Sequence, residues 1–285
     1  MKLVIISGLS GSGKSVALHT LEDLGFYCID NLPVGMLAEF GRHITENRPG
    51  NNDRYGVGID ARNNPDDLAG FPAVLDQLGQ LGIESEILYL EADRDTLIKR
   101  FSETRRRHPL SNDNTPLAEA IGREAKLLAP ILARANLVMD TTQTTVHQLR
   151  ELVRERVDMR RGNRLSLLFQ SFGYKHGVPK DADFVFDLRC LPNPHWEPKL
   201  RPLTGRDAEV CSFLDAQDSV ERMYQQIRDF LEEWLPAYEH EGRSYLTIAL
   251  GCTGGQHRSV YLAERLARYF AEQRDFVSVR HRELS

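Results

Sequence analysis

Cysteine is scarce in this chain: Cys28, Cys190, Cys211 and Cys252 are the only four in 285 residues, with no Cys-x-x-Cys pair among them. That excludes a disulfide framework and a thiolate zinc site. A basic excess is missing too: 36 Lys and Arg stand against 41 Asp and Glu, for a net charge of −5. A chain-wide field that attracts nucleic acid is therefore excluded, and any such contact must come from a local patch. No apolar run approaches the roughly 20 residues of a membrane-spanning helix. The apolar run Leu3-Val4-Ile5-Ile6 is too short for the core of a secretion leader. No membrane partner is expected, and the expected location is the cytoplasm. Internal repeats and low-complexity tracts are also absent.

Apolar residues make up 41% of the chain and charged residues 27%, the balance of a protein that buries a real core. The length suits about two domains. In the first half, short apolar runs at 2–7, 26–29, 55–60, 86–90 and 137–140 alternate with helical periodicity at 14–24, 32–46, 68–81, 94–105 and 117–135. That alternation predicts a parallel α/β sheet. The stretch 48–53 carries loop chemistry, and so does Asn63-Asn64-Pro65. Charge is dense from Arg150 to Arg164, which predicts a solvated helix ending near Gly162 at a domain junction. The expected division is residues 1–150, a linker helix at 151–163, and a smaller α/β domain at 164–285. In that second domain strands are expected at 165–169, 184–188, 245–250 and 277–282, and helices at 219–234 and 259–272.

Gly8-Leu9-Ser10-Gly11-Ser12-Gly13-Lys14-Ser15 meets every fixed position of the phosphate-binding loop G-x-x-x-x-G-K-S, directly after a strand and before a helix. Loop N–H groups and the helix N-terminus favour phosphate charge. Lys14 adds a point charge for the β- and γ-phosphates, and the Ser15 hydroxyl can ligate Mg²⁺. ATP or GTP with Mg²⁺ is therefore the expected ligand. Asp60, closing an apolar strand, is the candidate Mg²⁺-organising acid, with Asp30 the competing one. Arg100, Arg105, Arg106, Arg107 and His108 suit either a transferring phosphate or a solvated helix end.

A second loop, Cys252-Thr253-Gly254-Gly255-Gln256-His257-Arg258-Ser259, fits C-x5-R-S between a strand and a helix. Backbone amides and an arginine there suit a phosphate, and a helix N-terminus can activate the thiol. Gly251 stands where cysteine phosphatases carry histidine, and Asp183, Asp187 and His195 are the available general acids. His195 and Trp196 lie in a stiff proline-bounded loop. Near the end, Arg265, Arg268, Arg274, Arg280, His281 and Arg282 gather positive charge, either an RNA-binding patch or a mixed solvated face.

Together the phosphate loop, Leu24-Gly25-Phe26-Tyr27-Cys28-Ile29-Asp30-Asn31-Leu32-Pro33, Asp60-Ala61-Arg62-Asn63, Ser171-Phe172-Gly173-Tyr174-Lys175, Asp187-Leu188-Arg189, Leu191-Pro192-Asn193-Pro194-His195-Trp196 and the Cys252 loop resemble the RapZ family, the YvcJ-type nucleotide-binding proteins. The resemblance spans nearly the whole chain. It implies a kinase-like N-terminal domain with ATPase and GTPase activity, its nucleotide contacts falling on Gly8 through Ser15 and on Asp60, Ala61, Arg62 and Asn63. It further implies a homo-oligomer, a tetramer in the best-known type, that senses glucosamine-6-phosphate and presents small RNAs to RNase E as an RNase adapter. The phosphosugar pocket then maps onto His195, Cys252, Thr253, Gly254, His257 and Arg258, and RNA contacts onto Arg274, Arg280, His281 and Arg282. Two other readings remain beside it: a small-molecule kinase with Asp30 and the arginine cluster as its acceptor site, and a phosphatase using Cys252.

Overall fold

The structure, a computed structural model, describes residues 1–47, 53–104, 106–112, 114–157 and 165–284. Residues 48–52 of the loop expected at 48–53, Arg105 and the 158–164 part of the charged stretch lie outside the described residues. The chain divides into two compact units, Met1–Asp158 and Met159–Ser285.

The first unit holds β1 (Lys2–Gly8), β2 (Tyr27–Ile29), β3 (Arg54–Gly58), β4 (Glu84–Glu91) and β5 (Leu137–Asp140), paired in parallel in the order β2-β3-β1-β4-β5. Leu3, Val4, Ile5 and Ile6 of β1 are fully buried, as a central parallel strand covered on both faces requires. From β1 the chain turns through α1 (Lys14–Asp23) towards β2, whereas β4 leads to β5 on the opposite side. The connections thus diverge beside the carboxyl end of β1, where open α/β sheets place their ligand crevice.

The helices α2 (Val34–Asn47), α3 (Pro65–Ala69), α4 (Phe71–Gln80), α5 (Arg94–Thr104), α6 (Leu117–Leu132) and α7 (Val146–Val157) complete the unit. The single helix expected at 68–81 is two. Asn64 caps α3 by accepting from the Asp66 N–H, Gly70 ends it, and Pro72 suits only the first turn of α4. The expected linker helix also has a different place. Leu149, Leu152, Val153 and Val157 are buried on one side of α7, which packs on α1, with Arg156 buried beside them, while Arg150, Glu151 and Arg154 are exposed. Residues up to 157 therefore belong to the first unit.

The second unit carries a parallel sheet in the order β7-β8-β6-β9, from β6 (Ser166–Gly173), β7 (Phe184–Asp187), β8 (Tyr245–Cys252) and β9 (Val277–His281). Its core joins Leu167, Phe169, Leu246 and Ile248 of the sheet to α9 (Asp218–His240) and α10 (Arg258–Ala271). Phe169 and Phe270 stack with centroids 5.7 Å apart. A further helix, α8 (Ala208–Asp215), forms in a stretch where no element was expected, burying Val210 and Leu214. In each unit one inner strand, β1 or β8, ends at a glycine-bearing loop that opens a helix, α1 or α10. Among the described residues no helix is long and apolar enough to cross a membrane.

Candidate functional site

The first loop owes its shape to glycines that nothing larger can replace. Gly8 has φ 136°, and a Cβ there would stand 2.0 Å from the Leu90 carbonyl oxygen. Gly13 has φ 107°, and its Cβ would meet Leu149 Cδ2 of α7 at 2.5 Å. As the N-cap of α1, Gly13 offers no side-chain cap, and no acidic residue sits in the first turn. The orphan N–H groups and the positive helix end are therefore left for an anion. The buried Ser12 hydroxyl has no hydrogen-bond partner among the described residues.

A cavity of about 660 Å³ covers this loop, lined by Ser10 through Val16, by Asp60 and Arg62, by Arg100, Arg106 and Arg107, and by Thr141, Thr144 and Leu149. Lys14 Nζ donates to the Gly8 carbonyl at 2.6 Å. Burial pushes its ammonium below the ordinary lysine range, against the opposing pull of Glu124 and Asp60. Burial also works against the charge of Asp60, but Arg62 holds that carboxyl below the usual range by a fork of bonds, Nε and Nη2 reaching Oδ2 at 2.9 and 2.6 Å. Asn63 sits in the turn beyond, donating to the Asp60 carbonyl at 3.1 Å and accepting from the Val34 N–H at 2.6 Å. Ala61 and Asn63 line a neighbouring cavity of about 620 Å³, with Arg62, Arg123 and Lys126.

The arginine cluster splits by role. Arg100 reaches under the loop, donating to the Gly11 carbonyl at 3.0 Å and to the Thr141 carbonyl at 2.5 Å. Thr141 in turn donates to the Ser12 carbonyl at 2.9 Å. Arg106 and Arg107 are exposed on the cavity wall. Sequence reasoning missed Glu124 altogether. It is fully buried on α6, accepting from Ser10 N–H at 2.9 Å, from Ser10 Oγ at 2.7 Å and from His108 Nε2 at 3.0 Å. One signal was available, a carboxylate on the apolar stripe Ala120, Ile121, Leu128, Ile131.

The second loop follows β8 and opens α10, whose N-cap His257 also gives no side-chain cap. Cys252 is buried, and its sulfur accepts the Gly255 N–H at 3.3 Å and lies 3.1 Å from Ser259 Oγ. Arg258 is 3% exposed and reaches sideways to the carbonyls of Arg189 and Leu191 at 3.0 and 2.9 Å, with Thr253 Oγ1 at 3.4 Å. His257 is buried and bonded to the Leu200 carbonyl at 3.2 Å, and burial lowers its pKa. His195 is exposed, its ring centroid 6.3 Å from that of His257, and Trp196 beside it is 74% exposed. Thr253 and Gly254 stand at the accessible rim.

Gly251 has a steric reason: a Cβ there would meet Phe172 Cζ at 2.4 Å and Tyr174 Cε2 at 2.6 Å. A phosphatase histidine has no room. Two of the three candidate acids are engaged, Asp183 by Arg243 and the Thr247 N–H, and Asp187 by the fork of Arg189, while the third, His195, is exposed.

The terminal cations differ in their surroundings. Arg274 pairs with Glu239 at 2.5 Å. His281 is only 8% exposed and bridges Ser171 Oγ at 2.8 Å to Glu264 at 3.0 Å, so it is an internal tie and not a surface contact. Arg280 lies in β9 in register with Gln170, and Arg282 donates its N–H to the Ser171 carbonyl at 3.1 Å.

Known proteins match both units. Residues 1–161 match the RapZ-like N-terminal domain and residues 165–285 the RapZ C-terminal domain. The chain is 64% identical to a nucleotide-binding protein of Alkalilimnicola ehrlichii over 285 residues, all of this chain and 99% of that one. It is 56% identical to one from Thioalkalivibrio sulfidiphilus, with both chains covered in full. Among solved structures it is similar to a shikimate kinase of Bacteroides thetaiotaomicron (13% identity, 55% of this chain, 98% of that one, TM-score 0.39). A sugar kinase of Janibacter is similar at 16% identity, covering 55% of this chain and 95% of that one, with a TM-score of 0.38. Matched through both units and along its whole length, the chain belongs to the RapZ family.

Proposed function

We propose that the first unit binds ATP or GTP with Mg²⁺ and hydrolyses it slowly, within a cytoplasmic regulatory protein. One observation carries this reading: the uncapped α1 N-terminus, the glycine-built loop and Lys14 all face one cavity of about 660 Å³. That is a nucleotide's volume with donors at its phosphate end. Lys14 and the N–H groups of Gly11, Gly13, Lys14 and Ser15 bind the phosphates, while the Ser12 N–H closes the loop onto the Leu9 carbonyl at 3.1 Å. Ser15 and Asp60 would hold the Mg²⁺, which supplies charge neutralisation at the phosphate oxygens. Arg100 holds the loop's shape through its carbonyls, which argues against a kinase acceptor role for that residue. The names of the nucleotide-binding relatives support the same reading.

In the second unit the proposed ligand is a phosphosugar, glucosamine-6-phosphate by family resemblance. His195, Cys252, Thr253, Gly254, His257 and Arg258 build the pocket, and Arg258 shapes its walls. The steric need for Gly251 and the engaged Asp183 and Asp187 favour binding over thiol catalysis. By the same resemblance the chain assembles as a homo-oligomer and binds small RNA for RNase E, with Arg274, Arg280 and Arg282 as the cationic residues near the end.

Calorimetric titration of the full chain with ATP and with GTP, each with Mg²⁺, tests the first site. Saturable binding lost in Lys14→Ala supports it, and absence of binding to the folded wild type rejects it. Titration with glucosamine-6-phosphate, in the wild type and in Thr253→Ala, tests the second in the same way.

A further inference from the structure

Glu124 stands at 0% exposure on the apolar stripe of α6. A carboxylate in that position is costly unless donors satisfy it. Ser10 supplies two, from its N–H at 2.9 Å and its hydroxyl at 2.7 Å, and His108 Nε2 supplies the third at 3.0 Å. The imidazole tautomer follows from its other side. Leu110 N–H donates to Nδ1 at 3.1 Å, so Nε2 is the nitrogen that carries hydrogen and gives it to Glu124. Burial opposes the carboxylate's charge, yet His108, Lys14 and Ser10 hold its pKa below the ordinary range.

The His108 main chain is held as firmly as its ring. Ser111 returns both its N–H and its hydroxyl to the His108 carbonyl, at 3.0 and 2.9 Å. Phe101 of α5 lies against the ring with centroids 5.2 Å apart. An unbroken set of hydrogen bonds therefore runs from Leu110 through His108 and Glu124 to Ser10 of the phosphate loop. Immediately before His108 come Arg106 and Arg107, exposed on the wall of the cavity that also holds Lys14 and Ser15.

We infer that His108 and Glu124 are positioning residues that hold Arg106 and Arg107 over the phosphate loop, where the two guanidinium groups meet the terminal phosphate of the nucleotide. The inference rests on the nucleotide reading above. Two long side chains on a free loop lose much entropy when a ligand orders them, and an anchor one residue away removes part of that cost in advance. The guanidinium fork matches phosphate oxygens in pairs. The loop amides serve the inner phosphates and Lys14 bridges the β- and γ-phosphates from one side, so the arginines add to the grip on the terminal one. The contribution of the arginines is then felt most by a triphosphate, less by a diphosphate and least by a monophosphate.

The test titrates the full chain with ATP, ADP and AMP in the presence of Mg²⁺, with melting curves for every variant. His108→Ala should weaken ATP by about tenfold or more, the worth of a lost bond to a charged group, while ADP changes much less. His108→Gln, whose side-chain amide can still donate to Glu124, should recover most of the loss. Arg106→Ala with Arg107→Ala should show the same ATP-selective loss, and adding His108→Ala to that background should change nothing more. An unchanged ATP-to-ADP ratio in the double arginine variant overturns the proposal, whether or not His108→Ala folds. Equal weakening of ATP and ADP in a folded His108→Ala also overturns it, since that marks general damage to the loop. Failure of the wild type to bind any of the three nucleotides removes the nucleotide reading itself, a result distinct from any change of ratio.

Discussion

Arg100 and Gly11 are joined by a 3.0 Å bond from Nη1 to the loop carbonyl, while Nη2 reaches the Thr141 carbonyl beyond β5. One guanidinium therefore ties α5, the phosphate loop and the end of β5 together. Arg100→Ala should cost about 1–2 kcal/mol of stability, since two carbonyl acceptors, that of Thr141 partly buried, lose their donor. Arg100→Lys should not restore it, because a single ammonium on a flexible stem cannot serve both sites in the plane of the fork. Urea unfolding followed by circular dichroism, with ATP titration alongside, measures both effects. A lysine variant as stable as the wild type would mean the fork is dispensable.

Gly251 sets a limit on the second site. Its absent side chain makes room for Phe172 and Tyr174, whose rings lie with centroids 4.9 Å apart. Gly251→Ala should destabilise the protein by about 1–3 kcal/mol through overpacking against a fully buried phenylalanine. Gly251→His, which installs the phosphatase residue, should unfold the second unit and yield no turnover of p-nitrophenyl phosphate. A well-folded histidine variant with phosphatase activity would revive the thiol mechanism.

Arg258 spans the loop to the Arg189 and Leu191 carbonyls from a buried position. Arg258→Ala leaves both acceptors without that donor and should cost about 2–3 kcal/mol. Hydrogen exchange should quicken around residues 189–193 in the variant. Unchanged protection there would show that the arginine does not organise that segment.

His257 and His281 give the second unit an acid-sensitive range. Burial comes first among the causes that lower both pKa values, and the Glu264 partner of His281 only partly opposes it. The folded state thus binds these protons less readily than the unfolded chain, whose histidines titrate near pH 6.5. The stabilising difference is fully present above about pH 6.5 and is lost as the pH falls from there through the folded values. Unfolding midpoints should therefore drop between about pH 7 and pH 5, and His257→Gln should flatten the slope. Imidazole resonances followed by NMR should titrate below the free-histidine value for both residues. Titration at or above that value would contradict the burial argument.

Much of the first site was readable because it is local. Gly8 through Ser15 are eight consecutive residues whose conformations are set by their own glycines and by the strand and helix that flank them. Glu124 was not readable, because 114 positions separate it from Ser10 and only the fold brings them together. His281 was misplaced on the surface for a different reason. Positive charge drew attention away from the alternation Val277, Val279, His281, which puts those three on one side of a strand. β9 pairs with β6, and that side packs on the core instead of facing water. The charged stretch near residue 150 hid a second period in the same way. Leu149, Leu152, Val153 and Val157 recur at helical spacing, and that stripe, not the charge, decided which unit α7 joins.

Leu149 also links distant parts of the first unit. The residue sits in the last helix before the chain passes on to the second unit, yet its methyl group closes the space over Gly13. Entry and exit of the first unit are thereby one van der Waals contact apart, although Leu149 lies 136 positions beyond Gly13 in the sequence. A loop that tightens around phosphate must either push this side chain or be pushed by it. Whatever holds α7 in place has a hand on the phosphate grip, and whatever fills the grip is felt where the chain leaves.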